Sequence, residues 1–223
     1  MNSKLFFSAA CKFAAGLLLT ALLVFLPAGT LYFPNGWLFC ALLFIPMFVL
    51  GVVLLIKSPD LLQKRLDAKE GAAVQKGVVG ISAVVFAAGF ILAGLDFRFG
   101  WSAVPIWVVV LASVLFLFAY GLYAEVMREN AYLSRNITVQ ENQRVIDTGL
   151  YGIVRHPMYA ATILLFLMIP LILGSWYAFL VFLVYPILIS IRIRDEETLL
   201  EAELSGYAEY KKRVKYRLLP FIW

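Results

Sequence analysis

The chain is poor in charge. Only 15% of its 223 residues are Asp, Glu, Lys or Arg, and 63% are apolar, where a soluble domain carries about 25% and roughly 45–50%. A water-soluble globule of this size would lack polar residues to cover its surface, so a soluble enzyme is excluded, and a disordered chain with it. Histidine is scarcer still: His156 stands alone. That rules out a His/Cys zinc cluster, and no metal is expected. The two cysteines, Cys11 and Cys40, are too few for a disulfide scaffold and sit in or beside apolar runs, where they read as packing residues. There is no G-x-G anywhere, which removes a Rossmann-type nucleotide fold. Internal repeats, low-complexity stretches and Gly pairs at i, i+4 are missing as well.

What the chain has instead is long apolar runs, at 13–33, 37–56, 77–95, 103–124 and 160–191. About 20 residues at 1.5 Å rise cross a ~30 Å hydrocarbon layer, so the first four are candidate spans. The last run is too long for one ordinary crossing, and Gly174-Ser175 near its middle predicts a tight hairpin of two short helices, broken by Pro170 and Pro186. The expectation is an all-α integral membrane protein with about six transmembrane helices. The first apolar run reads as a retained span rather than a signal peptide, because Lys12 interrupts the run before it and no clean cleavage site follows.

The basic residues fix a topology. With both termini in the cytoplasm, all of the 19 Lys and Arg except Arg98 fall on the inner side, as the positive-inside rule demands. The net charge of +5 is thereby explained by the bilayer, without nucleic acid as a partner. The loop 57–76 mixes charges and reads as an amphipathic surface helix against anionic headgroups.

The outer turns are short, and the chemically capable residues collect on the inner side. Residues 125–159 hold Asn136-Ile-Thr-Val-Gln140, then Gln143-Arg144-Val145-Ile146-Asp147-Thr148-Gly149-Leu150-Tyr151, then Arg155-His156-Pro157-Met158-Tyr159. Gly149 and Gly152 make turn chemistry. Pro157 fits the first position of a helix, which places His156 at or beside its N-cap. At the end of the sixth span, Arg192 and Glu196 share one helical face at i, i+4. Beyond them Tyr207, Tyr210 and Tyr216 interleave with Lys211, Lys212, Arg213, Lys215 and Arg217, a pattern expected of a C-terminal interfacial helix. A hairpin would bring the His156 cluster and the 192–197 cluster together.

These residues resemble the family of isoprenylcysteine carboxyl methyltransferases and phospholipid N-methyltransferases, in its bacterial-type branch. The pattern is Gly149-x-Tyr151, Arg155-His156-Pro157-x-Tyr159, an apolar hairpin, Glu196-Glu197-x-x-Leu200, Tyr207-x-x-Tyr210 and a closing Arg217-Leu-Leu-Pro220. It spans roughly residues 130–223, and the earlier spans match only as generic hydrophobic helices. The resemblance implies a membrane enzyme that binds S-adenosyl-L-methionine, leaves S-adenosyl-L-homocysteine and methylates a lipophilic acceptor. By motif position it implies cofactor contacts at Gln140, Gln143, Arg144, Val145, Ile146, Tyr151, His156, Pro157, Met158, Tyr159 and Glu196, with Arg192 facing the acceptor and, together with Glu196, counted as catalytic. It also divides the chain into a four-helix transmembrane region, 1–124, and a cofactor-binding and catalytic region, 125–223. The segment before Gly149 is shorter than in the carboxyl methyltransferases, and Leu204-Ser-Gly-Tyr207 replaces their Phe-Gly-x-x-Tyr ending.

The chemistry suits the assignment. A sulfonium is attracted by carboxylates and aromatic faces, which Glu196, Tyr151 and Tyr159 offer. Arg192 favours an ionised carboxylate acceptor, which needs no base, unless Arg192 pairs with Glu196. Two other readings stand beside this one. An NADPH-dependent sterol-reductase-like enzyme would set Arg144 and the 211–217 basic cluster on phosphates. A non-catalytic scaffold would keep only the fold.

Overall fold

The structure, a computed structural model, describes residues 3–66, 73–133 and 138–223. Lys69, Arg135, Asn136 and Ile137, part of the loops discussed above, lie outside the described residues. The described part is helical: α1 (Ser3–Ala28), α2 (Pro34–Lys57), α3 (Pro59–Leu66), α4 (Ala73–Phe99), α5 (Ile106–Glu129), α6 (Pro157–Leu173), α7 (Trp176–Phe182), α8 (Tyr185–Glu203) and α9 (Tyr207–Arg213). Helices α1, α2, α4, α5 and the stretch Trp176–Glu203 made by α7 and α8 are long and apolar enough to cross a membrane. The remaining expected span, the fifth in chain order, is α6, which has 17 residues, about 25 Å at 1.5 Å per residue.

Apolar side chains fill two environments. Phe39, Phe116, Ile172 and Phe182 are fully enclosed between helices, while Trp107, Val110, Val114 and Phe118 project from α5 to the outside, as a lipid-facing flank should. Helix α5 lies along α6, and α4 packs on α1, α7 and α8. The loop expected to form a surface helix does so over α3, whose Leu61 and Leu62 are buried beneath it.

The hairpin turns where expected. Gly174 caps α6 at φ 84°, a left-handed conformation that Gly reaches without steric cost, and the Ser175 side chain accepts from Ala178 N to start α7. Pro170 does not break the first arm: it sits in the last turn of α6 and its carbonyl accepts from Ser175 N at 3.0 Å. The second arm does break, at 183–184, just ahead of Pro186, whose missing N–H interrupts the ladder there. Buried Asp96, near the end of α4, anchors this turn. Its carboxylate accepts from Ser102 N (2.7 Å), Ser102 Oγ (2.6 Å) and Ser175 Oγ, so the enclosed charge is well hydrogen-bonded. The other end of α4 meets α8, where Gln75 Nε2 donates to Asp195 Oδ2 at 2.5 Å. The hairpin turn and the 192–197 cluster therefore lie at opposite ends of the bundle.

Candidate active site

The site is assembled where α5, α6, α8 and α9 meet. Between α5 and α6 the chain makes a short 3-10 turn, Gly149–Gly152. Gly149 has φ 52°, and a Cβ there would run into the Glu129 carboxylate, which accepts from Leu150 N at 3.1 Å. Pro157 takes the first turn of α6 with His156 as its N-cap residue, as the sequence implied. Next to them runs the segment after α9: Arg155 N donates to Tyr216 O and His156 N to Arg217 O, each at 2.9 Å. Tyr210 Oη donates to Tyr151 O at 2.8 Å and closes the gap between α9 and the 3-10 turn.

A buried ion cluster holds these pieces together. Glu197, 3% exposed, accepts on Oε1 from Arg155 Nε (2.8 Å) and from His156 Nε2 (3.2 Å), and on Oε2 from Arg217 Nε (2.9 Å). Arg155 also donates to Val214 O and Lys215 O. Since a carboxylate oxygen only accepts, the contact places an imidazole proton on Nε2. Beside this cluster stands a second chain of bonds. Tyr159 Oη donates to Glu196 Oε2 at 2.6 Å and accepts from Arg192 Nε at 2.9 Å. Arg192 and Glu196 do share a face, but the tyrosine hydroxyl bridges them.

Glu196, Tyr159 and Arg192 open onto a cavity of about 110 Å³. Of the residues expected to contact the cofactor, Gln143, Arg144, Val145, Ile146, Tyr151, His156, Met158, Tyr159 and Glu196 line it, and so does Arg192, expected to face the acceptor. Gln140 and Pro157 do not. Gln140 is occupied in holding the loop: its Oε1 accepts from Lys64 Nζ at 2.7 Å, its Nε2 donates to Tyr132 O, and its N–H donates to Gln143 Oε1 at 2.8 Å. Pro157 acts through the backbone, as the start of α6.

Residues 108–202 of this chain, from α5 through almost all of α8, match the isoprenylcysteine carboxyl methyltransferase (ICMT) family. The match takes in less than half of the chain. No curated protein matches the chain. The matched segment holds the ion cluster's Arg155, His156 and Glu197 together with the Arg192–Tyr159–Glu196 bridge. Tyr207 and Tyr210 lie beyond the matched residues yet line the same cavity, and Arg217, also beyond them, completes the ion cluster on Glu197.

Several residues in and behind the wall had no place in the site assigned from sequence. Arg155, Glu197, Tyr207, Tyr210 and Arg217 all stood in the motif series, but nothing in one dimension told structural from cavity-facing members. Two tyrosines expected to hold α9 at an interface, Tyr207 and Tyr210, are instead 4% and 2% exposed and line the cavity; the basic residues of α9 take the outer face. Burial pushes the Tyr151 phenol up to about 12, although Asn130, donating to its oxygen at 3.0 Å, pulls the other way. Burial raises Tyr207 and Tyr210 as well. All three are neutral at any physiological pH. The hydroxyl of Tyr207 is buried and has no hydrogen-bond partner among the described residues.

Proposed function

We propose that this protein transfers a methyl group from S-adenosyl-L-methionine to the carboxylate of a lipophilic, membrane-associated acceptor, at a cavity on the cytoplasmic side of the bilayer. The observation that carries the reading is the meeting of Glu196, Arg192 and the Tyr151, Tyr159 and Tyr207 rings around one cavity, at the end of a hairpin of apolar helices. Cytoplasmic placement of both termini and of the site rests on the bias of the basic residues, with Arg98 alone at the far end.

The donor set fits the cofactor. When bound, S-adenosyl-L-methionine supplies a methyl group on a positively charged sulfur. Glu196 and the tyrosine faces would attract that charge, Arg144 would meet the cofactor's own carboxylate, and the unpartnered Tyr207 hydroxyl would gain the hydrogen bond it lacks. At about 110 Å³ the cavity is tighter than the roughly 300 Å³ or more of ordinary ligand sites. Entry therefore requires a wall to yield. Segment 138–146 is suited to this, having no regular secondary structure and few backbone hydrogen bonds.

Arg192 presents a guanidinium, held at Nε by Tyr159, and such a fork is of the kind that orients an ionised carboxylate. An amine acceptor would have to lose a proton to a base. His156 Nε2 already faces Glu197, and Glu196 already accepts from Tyr159, which favours an acceptor needing no base. Burial of the site beside apolar helices would exclude water and help hold donor and acceptor together, the main demands of a displacement at carbon. Of the basic residues that a nicotinamide phosphate would want, Arg144 lines the cavity, but Lys211 pairs with Glu201 and Arg213 with Asp147, off its wall.

The test is transfer of tritiated methyl from S-adenosyl-L-methionine to a total lipid extract, with the labelled product treated with mild base. Base-labile label is expected. A base-stable product would refute the carboxylate acceptor. Calorimetric binding of NADPH in place of S-adenosyl-L-homocysteine would refute the methyltransferase reading.

A further inference from the structure

A second cavity, of about 530 Å³, lies at the same end of the bundle between the last turns of α2, the start of α3 and the end of α5. Its inner wall is Leu50, Val53, Leu54, Ala124 and Met127. Its mouth carries Lys57, Lys64 and Arg128 against a single acid, Asp60. Leu54, Leu61 and Met127 belong to an apolar cluster shared with Tyr151, which walls this cavity off from the candidate active site.

We propose that this cavity binds one anionic phospholipid, its phosphate between Lys57 and Lys64 and an acyl chain along the apolar wall. Three features converge on that ligand. First, depth: Lys57 ends α2 and Arg128 is one residue from the end of α5, the level at which spanning helices leave hydrocarbon and lipid phosphates lie. Second, donors: Lys57 is exposed and makes no hydrogen bond among the described residues. Lys64 spends one of its three N–H donors on Gln140 Oε1, at 2.7 Å, and has others to offer. Arg128 is clamped by Glu125 at 2.8 and 2.5 Å and brings no unbalanced charge, so the two lysines carry the selectivity. Third, the wall: a free phosphate would leave a large apolar surface wet, whereas an acyl chain covers it and continues into the bilayer. A zwitterionic headgroup would set a second cation against both lysines.

The test is native mass spectrometry of the full-length protein in detergent, titrated with phosphatidylglycerol or with phosphatidylcholine or phosphatidylethanolamine of the same acyl chains. One phosphatidylglycerol per chain is expected, bound at least tenfold tighter than either zwitterionic lipid. Each lysine near an anionic headgroup is worth roughly a fivefold change in affinity, so Lys57→Gln should weaken binding about fivefold and K57Q/K64Q on the order of 25-fold. Val53→Trp fills the wall without touching charge and should also expel the lipid. If the double variant does not fold, Lys57→Gln and Val53→Trp still decide the matter. Equal retention of zwitterionic lipids, undiminished phosphatidylglycerol in the lysine variants, or displacement of the lipid by millimolar inorganic phosphate would each overturn the proposal.

Discussion

Glu196 and Glu197 are chain neighbours with the same chemistry, and the structure assigns their replacement opposite consequences. Glu197 is enclosed and accepts from Arg155, His156 and Arg217; the Arg155 side chain is only 4% exposed. Glu197→Gln leaves that guanidinium without its counter-charge, and breaking a buried pair from one side costs about 3–5 kcal/mol. Arg155 keeps two carbonyl acceptors, Val214 O and Lys215 O, so the lower figure, about 3 kcal/mol, applies. For a chain of this size that lowers Tm by about 6–12 °C. Glu196 is half-buried and accepts from the Tyr159 hydroxyl, so Glu196→Gln, which can still accept that bond, should move Tm by no more than about 3 °C while abolishing detectable methyl transfer. Thermal unfolding in detergent and the tritium assay, run on both variants, separate the two roles. A Glu197→Gln protein that melts with the wild type refutes the ion cluster as the fastening of this site, and a fully active Glu196→Gln protein refutes the catalytic assignment of Glu196.

Arg192→Ala should eliminate transfer yet leave S-adenosyl-L-homocysteine affinity within about threefold by calorimetry, which corresponds to less than 1 kcal/mol; loss of cofactor binding would move Arg192 to the cofactor. Tyr207→Phe removes a buried hydroxyl with no partner, so the ligand-free protein should become more stable by about 1 kcal/mol while its affinity for S-adenosyl-L-homocysteine falls. Equal affinity in wild type and variant would show that the hydroxyl does not meet the cofactor. Burial holds Tyr151 protonated up to about 12, against 10.0 when exposed, and raises Tyr207 and Tyr210 too. The folded state thus retains protons that the unfolded chain releases, and the stability this gives is whole below pH 10 and lost as pH rises toward 12. Tm measured from pH 9 to 12 should drop steeply past 10, and less steeply in Tyr151→Phe.

Length and hydropathy were enough to read the helical architecture, because crossing a bilayer demands long apolar runs and little else does. The hairpin was legible from Gly174-Ser175, and the start of α6 from Pro157. Rotation about a helix axis was not legible. A helix apolar on every side carries no periodicity to say which face meets protein and which meets lipid, so in 192–197 the sequence could not decide whether Glu196 or Glu197 turned inward. The same limit applied to Tyr207 and Tyr210, whose mixture with lysines reads equally as an anchor or as a wall. The part Gln140 plays in holding the loop was hidden for a different reason. Its partner Lys64 is 76 residues away, and a hydrogen bond across that separation leaves no local trace.

The segment after α9 lends its backbone to Arg155 and His156 and its Arg217 to Glu197. In order of synthesis, that segment follows every helix from α1 to α9. A nascent chain paused before residue 214 would already have its membrane helices in place, with Arg155 stripped of carbonyl acceptors and Glu197 facing fewer cations. Whatever the state of insertion, the cluster around Glu197 is thus complete only once residues 214–217 have been made.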